Sequence, residues 1–167
     1  MFDASLESAA QIIAHHAPHL GVFPTLVPGL TLYRIESNAF IERTAGEIMT
    51  TFIVHGRKTT AIGGKMLEYG AGESLVCGIA SPSEFHTLDA SRDNPFLALS
   101  VSLDASILME YADALYDRHQ SGQLSEMPGG VFVICPDEDL RDVFLRLLKI
   151  VARHSMPNAL YLQRIHS

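Results

Sequence analysis

Residues 55–76 read HGRKTTAIGGKMLEYGAGESLV, and three glycine-bearing breaks, Gly56-Arg57-Lys58, Gly63-Gly64 and Gly70-Ala71-Gly72, cut the stretch into short alternating runs. Alternation of apolar and polar residues between such breaks is the pattern of half-buried antiparallel strands. Gly63-Gly64 is the strongest hairpin signal, joining a strand over 58–62 to one over 65–69, with a further strand starting at Ser74. The stretch predicts a wall of β-structure and holds no catalytic motif.

Working outward, the same grammar continues on both sides. Upstream, Gly29 to Ile35 alternates as a strand, and Ile48 to His55 is rich in β-branched and aromatic residues. Residues 37–46 lack periodicity and predict a loop or an irregular edge. Downstream, strands are expected over 84–89 and, after Asn94-Pro95, over 96–103. Strands at this spacing, with no helices between them, predict an antiparallel sandwich or barrel.

The flanks are helical. Leu6, Ala9, Ala10, Ile13 and Ala17 recur at helical spacing until Pro18 ends the pattern, and Pro24 and Pro28 frame an extended lead-in. A helix is expected from Asp104 to about His119, followed by a Gly-, Ser- and Pro-bearing connector and a short apolar strand over 131–135. From Asp137 to Ser155, Leu140, Val143, Phe144, Leu147, Leu148 and Val151 form a clean amphipathic face. Leu145 and Ile150 widen its apolar arc, so Leu145, Leu148 and Ile150 are the expected dimer contacts. A last helix is expected from Pro157, running to Ser167 with no stop signal. The division predicted is 1–23 as helix and lead-in, 24–103 as barrel and 104–167 as a helical dimerisation and linker segment.

Composition limits the function. Twelve Lys and Arg against 19 Asp and Glu give a net charge of −7, which disfavours a direct grip on a polyanion. Cys77 and Cys135 form no CxxC pair, so neither a disulfide framework nor a thiolate metal site is expected. Asp3 and Glu7 stand where a secretory signal would be basic, and a soluble, cytoplasmic protein is expected. A hydrophobic fraction of 47% is high for a monomer and points to a surface buried against a partner.

For chemistry, a barrel followed by helices first suggests a metal-dependent cupin enzyme, in which a His-x-His pair with a later Glu and His binds the ion. His55 is followed by Gly56 and Arg57, and His86 has no partner at ligand spacing. His15 and His19 would share a helix face, but Pro18 lies between them. No nucleophile elbow or phosphate loop is present, and Cys77 reads as a buried strand residue. No metal, no cofactor and no catalytic residues are therefore expected, and a binding role outranks an enzymatic one. Alternation puts Phe52 and Val54 on one strand face and Ile53 and His55 on the other, and groups Glu84 with His86. Tyr33, Arg34, Phe52, Glu84 and His86 are the expected pocket residues.

Four pieces in order carry a resemblance: Leu26-Val27-Pro28-Gly29-Leu30-Thr31-Leu32-Tyr33-Arg34, Val54-His55-Gly56-Arg57-Lys58, Leu67 through Val76, and Asn94-Pro95-Phe96-Leu97-Ala98-Leu99 followed by Leu103-Asp104. Together they resemble the N-terminal domain of AraC-type bacterial transcriptional regulators. The family's usual Gln before Gly-Arg-Lys is replaced here by His55. The resemblance implies a cupin-like, jelly-roll antiparallel barrel that senses a small effector or supports a homodimer, with helices behind it. It also implies a tethered helix-turn-helix domain beyond residue 167 through which DNA is bound. The alternative is a stand-alone cupin-type enzyme with a degenerate metal site.

Overall fold

A computed structural model of the chain describes residues 3–104, 106 and 130–154. In chain order its elements are α1 (Ala4–His16), β1 (Gly21–Pro24), β2 (Leu30–Ile35), β3 (Ile41–Thr44), β4 (Met49–His55) and β5 (Arg57–Ile62). There follow β6 (Lys65–Gly70), β7 (Ser74–Cys77), β8 (Ser83–Leu88), β9 (Phe96–Ser102), β10 (Val131–Ile134) and α2 (Glu138–His154). The helices expected over 104–119 and from Pro157 fall outside the described residues.

Gly63 and Gly64 both adopt positive φ, +56° and +76°, and let β5 turn directly onto β6 with Ile62 opposite Lys65. The strands form two antiparallel sheets, one in the order β1-β2-β9-β4-β7-β10 and the other β3-β8-β5-β6. The sheets face each other as a cupin-like sandwich and do not close into a single ladder. Two strands go beyond the sequence reading. The lead-in before Pro24 pairs with β2 as β1, and the unperiodic 37–46 segment contributes β3, which pairs with β8 at the sheet edge.

Burial patterns show why the layers sort as they do. β8 alternates strictly, with Ser83, Phe85 and Thr87 inward and Glu84, His86 and Leu88 outward, as in a sheet with one wet face. β4 and β9, by contrast, are buried along nearly their whole length because both of their faces are covered. One face carries Ile53, Ala98, Leu75 and Cys77 into the inter-sheet core. The other carries Phe52, Val54, Leu97 and Leu99 against the two helices.

Asp3 caps α1 through Ser5, and Ala9 and Ile13 of that helix are buried on the sheet. Asp137 caps α2, accepting from the Leu140 amide at 2.9 Å. Phe144, Leu148 and Val151, spaced i, i+4 and i+7, face the same sheet, and Phe144 stacks on Phe52 with ring centroids 4.8 Å apart. An ion pair between Arg141 and Asp3 ties α2 to the start of α1. Among the described residues, no helix is long and apolar enough to cross a membrane.

Candidate ligand cavity between the sheets

Strand parity places β5 with Lys58, Thr60 and Ile62 inward, so a lysine enters the space between the sheets on the same face as an isoleucine. Its register partners are Tyr69 on β6 and Thr87 on β8. Glu42, on the edge strand β3, pairs with Phe85, the next inward residue of β8. Lys58 and Glu42 thus lie diagonally across β8. Opposite them, the six-stranded sheet supplies Tyr33, Met49 and Thr51.

These residues, with Thr44, Glu47 and Phe85, line a cavity of about 110 Å³, with exposed Glu47 at its rim. A smaller lobe continues it past Ile35, Phe40 and Phe96. Since an apolar cavity of about 150 Å³ can hold benzene, this cavity suits a small ligand of a few non-hydrogen atoms.

Lys58 is 5% exposed. Its Nζ sits 4.2 Å from the Phe85 ring centroid, 5.5 Å from that of Phe96 and 5.7 Å from that of Tyr69. It has no hydrogen bond and no ion pair among the described residues. The neighbouring hydroxyls are satisfied: Tyr33 shares a hydrogen bond with Ser100 at 3.1 Å, and Tyr69 one with Thr60 at 2.8 Å.

Burial pulls the Lys58 amine down to about 8, a shift that the nearby Glu42 carboxylate partly offsets. Burial in turn raises Glu42, with Lys58 opposing the rise. Burial also pushes up the Tyr69 phenol and the Cys77 thiol. The cavity therefore offers a buried amine with no bonded partner among the described residues, a carboxyl that releases its proton reluctantly, and aromatic walls.

Of the five residues expected to share a pocket, Tyr33 lines this cavity. Parity places the other four away from it, because neighbours on one strand face opposite ways. Arg34 points to the helix side, where its guanidinium bonds Glu36 at 2.8 Å and the Ala17 carbonyl at 3.3 Å. Phe52 stacks beneath α2. Glu84 and His86 lie on the outer face of the smaller sheet, joined at 2.6 Å, with Arg43 bonded to Glu84 at 2.7 Å.

Leu148, expected at a dimer contact, is fully buried in the core between α2 and the sheet. Leu145 is half-buried against the same core, while Ile150 and, one helical face with it, Val143 are exposed. His55 donates from Nδ1 to the Pro95 carbonyl at 2.6 Å and belongs to a strand end, away from the cavity. Among the described residues, no group of three His, Cys, Asp or Glu side chains is placed to hold a metal ion.

Lys58 and Glu42 were missed in the sequence for different reasons. Lys58 carries a signal, since it shares the strand face of Ile62. Glu42 lies in a segment without periodicity, and no sequence signal marks it.

The model of the AraC-type transcriptional regulator N-terminus matches residues 26–164. The chain belongs to this family. Two structures of ToxT from Vibrio cholerae share the fold of this AraC-type domain. One matches with a TM-score of 0.54 at 8% identity, over 71% of this chain and 46% of that one. The other, bound to (E)-4-(8-methylnaphthalen-1-yl)but-3-enoic acid, matches with a TM-score of 0.56 at 6% identity, over 79% of this chain and 51% of that one. This AraC-type domain thus spans about half the length of the ToxT chains. No curated protein sequence matches it.

Proposed function

We propose that this domain senses a small molecule between its two sheets and passes the result, through α2 and a homodimer, to a tethered DNA-binding domain. The observation that carries the reading is Lys58, a buried amine without a bonded partner among the described residues, facing a small cavity in a domain of a regulator family. A buried charge left unpaired is costly, and a ligand that engages it recovers part of that cost. Glu42 and Tyr33 supply further polar contacts, and Phe85 a flat wall. Binding of an organic acid by ToxT is consistent with a ligand site in the fold.

The route outward runs along β4. Thr51 faces the cavity, whereas Phe52, the next residue, stacks on Phe144 of α2. A ligand that moves the cavity wall therefore acts on the strand that carries α2, and it sets the output to the extent that it binds one arrangement better than the other. In this reading the domain performs no catalysis, works in the cytoplasm, and reaches DNA only through the tethered domain.

The test is thermal unfolding of the chain with short carboxylates, amides, polyols and aldehydes, in parallel with Lys58→Met. At least one class raises the midpoint of the native chain and leaves that of the variant unmoved, because a ligand specific for the folded state stabilises it. If no class moves the native midpoint, the sensing role fails.

A further inference from the structure

We propose that Lys58 captures a short-chain aldehyde, holding it as a reversible imine in the cavity between the sheets. This rests on the sensing role proposed above and names the ligand class for that same site.

Three observations fit a small carbonyl compound. The cavity wall already carries two carboxyl side chains, Glu42 and Glu47, so an incoming carboxylate would meet like charge, whereas an aldehyde is neutral. The amine is held over the Phe85 ring and, among the described residues, makes no hydrogen bond or ion pair that a reacting carbonyl would have to break. The cavity admits only a few non-hydrogen atoms, the size of a two- to four-carbon aldehyde.

The chemistry closes on groups already in place. The Lys58 ammonium first passes a proton to the Glu42 carboxylate; the neutral nitrogen then attacks the carbonyl carbon, a C–N bond forms as the carbonyl π bond opens, and a proton moves from the nitrogen to the oxygen to give a carbinolamine. The nitrogen lone pair then expels the hydroxyl, which leaves as water with a proton from Glu42, giving the protonated imine. The net change is aldehyde plus lysine ammonium to iminium plus water, with no oxidant or reductant. Hydrolysis reverses it, as a sensor requires.

With the amine drawn down to about 8, roughly one molecule in ten carries it neutral at pH 7, against fewer than one in a thousand for an exposed lysine. The groups titrating around it are Glu42, Glu47, the Cys77 thiol and the Tyr33 and Tyr69 phenols. The iminium product keeps the positive charge beside Phe85 and Glu42, so capture leaves the charge of the site unchanged.

The chain has three lysines, of which Lys65 and Lys149 are exposed, so selectivity can be read directly. The 167-residue chain is treated at pH 7 with sub-stoichiometric propanal and cyanoborohydride, which fixes an imine as a propylamine, and is mapped by peptide mass spectrometry. The expected result is propylation of Lys58 at least tenfold above Lys65, Lys149 and the α-amino group. Its rate should rise with pH to half-maximum near 8, and Glu42→Gln should slow it severalfold. Lys58→Arg, which keeps the charge, should lose the adduct.

Propylation confined to Lys65, Lys149 and the α-amino group overturns the proposal. Parallel thermal unfolding with propionate and propanamide, which fit but form no imine, separates the two failures. A raised midpoint with either, without Lys58 labelling, leaves the sensing role standing and removes the aldehyde. No shift with propanal, propionate or propanamide and no labelling removes both.

Discussion

At the scale of single residues, Lys58 sets the electrostatic character of the domain. Its native amine gives up its proton at about 8, while in the unfolded chain it does so near 10.5. Between those values the unfolded chain binds more protons than the native one, so this group makes stability rise with pH across that window. Below about 8 the full cost of burying the charge is present, of the order of 3 kcal/mol at most. Lys58→Met should therefore raise unfolding stability at pH 7 by about 1–3 kcal/mol and flatten the slope from pH 8 to 10, as measured by urea titration of both chains. Gly46, beside the rim residue Glu47, is constrained differently. It sits at φ +100°, and a Cβ there would come within 2.4 Å of the Ser81 backbone nitrogen. Gly46→Ala should lower stability by about 2 kcal/mol or more, because the strain and the backbone clash act together.

At the scale of elements, α2 does two jobs on two faces. Its inner face is core: Phe144→Ala removes the ring stacked on Phe52 and should cost about 3–5 kcal/mol in unfolding free energy. Its outer face carries exposed Val143 and Ile150, seven residues apart and so nearly in line along the helix. If this stripe pairs subunits, Val143→Glu with Ile150→Glu should shift sedimentation toward the monomer while the unfolding midpoint of the monomer stays within a degree or two. A mixed species distribution identical to that of the native chain would exclude the stripe. The Asp3–Arg141 ion pair joins α2 to α1, and the Ser5 hydrogen bonds, with Arg141 beside them, hold the Asp3 carboxyl down to about 2. A depressed carboxylate stabilises above its ordinary range and loses that contribution as pH falls toward its native value. Asp3→Asn should thus reduce the acid sensitivity of the α1–α2 contact, seen as a smaller drop in helical signal between about pH 4 and 2.

At the scale of the whole molecule, the six-stranded sheet is the middle layer of three, with the ligand cavity on one side and the helices on the other. In the proposed reading, this arrangement lets a sensing site and an output helix share β4 without touching. The charge of −7 bears on the whole chain as well. At physiological salt the 167-residue chain should not retard duplex DNA in a gel at micromolar concentration, since association with a polyanion draws on cationic contacts.

Much of this was legible in the sequence, for local reasons. Gly63-Gly64 dictated the β5–β6 hairpin because both positions need positive φ, and Pro18 dictated the end of the α1 pattern. The face of α2 followed from its period, and the ordered family pieces from Leu26 to Asp104 carried the regulator class. Strand period gave the alternation within each strand but not which face was covered. That choice is made by what packs on the sheet, so Phe52 and Tyr33 read as equals until α2 took one and the second sheet the other. Leu148 and Ile150 likewise share a helix, and only its docking decides that one is core and the other surface. Glu42 shows the limit most plainly: an edge strand held by its partner β8 needs no apolar period of its own, so its place opposite Lys58 exists only in the folded chain. What the sequence by itself determined was the set of turns, periods and charges; what only tertiary structure decided was which residues the two sheets close around, because burial is a property of contacts between segments far apart in the chain.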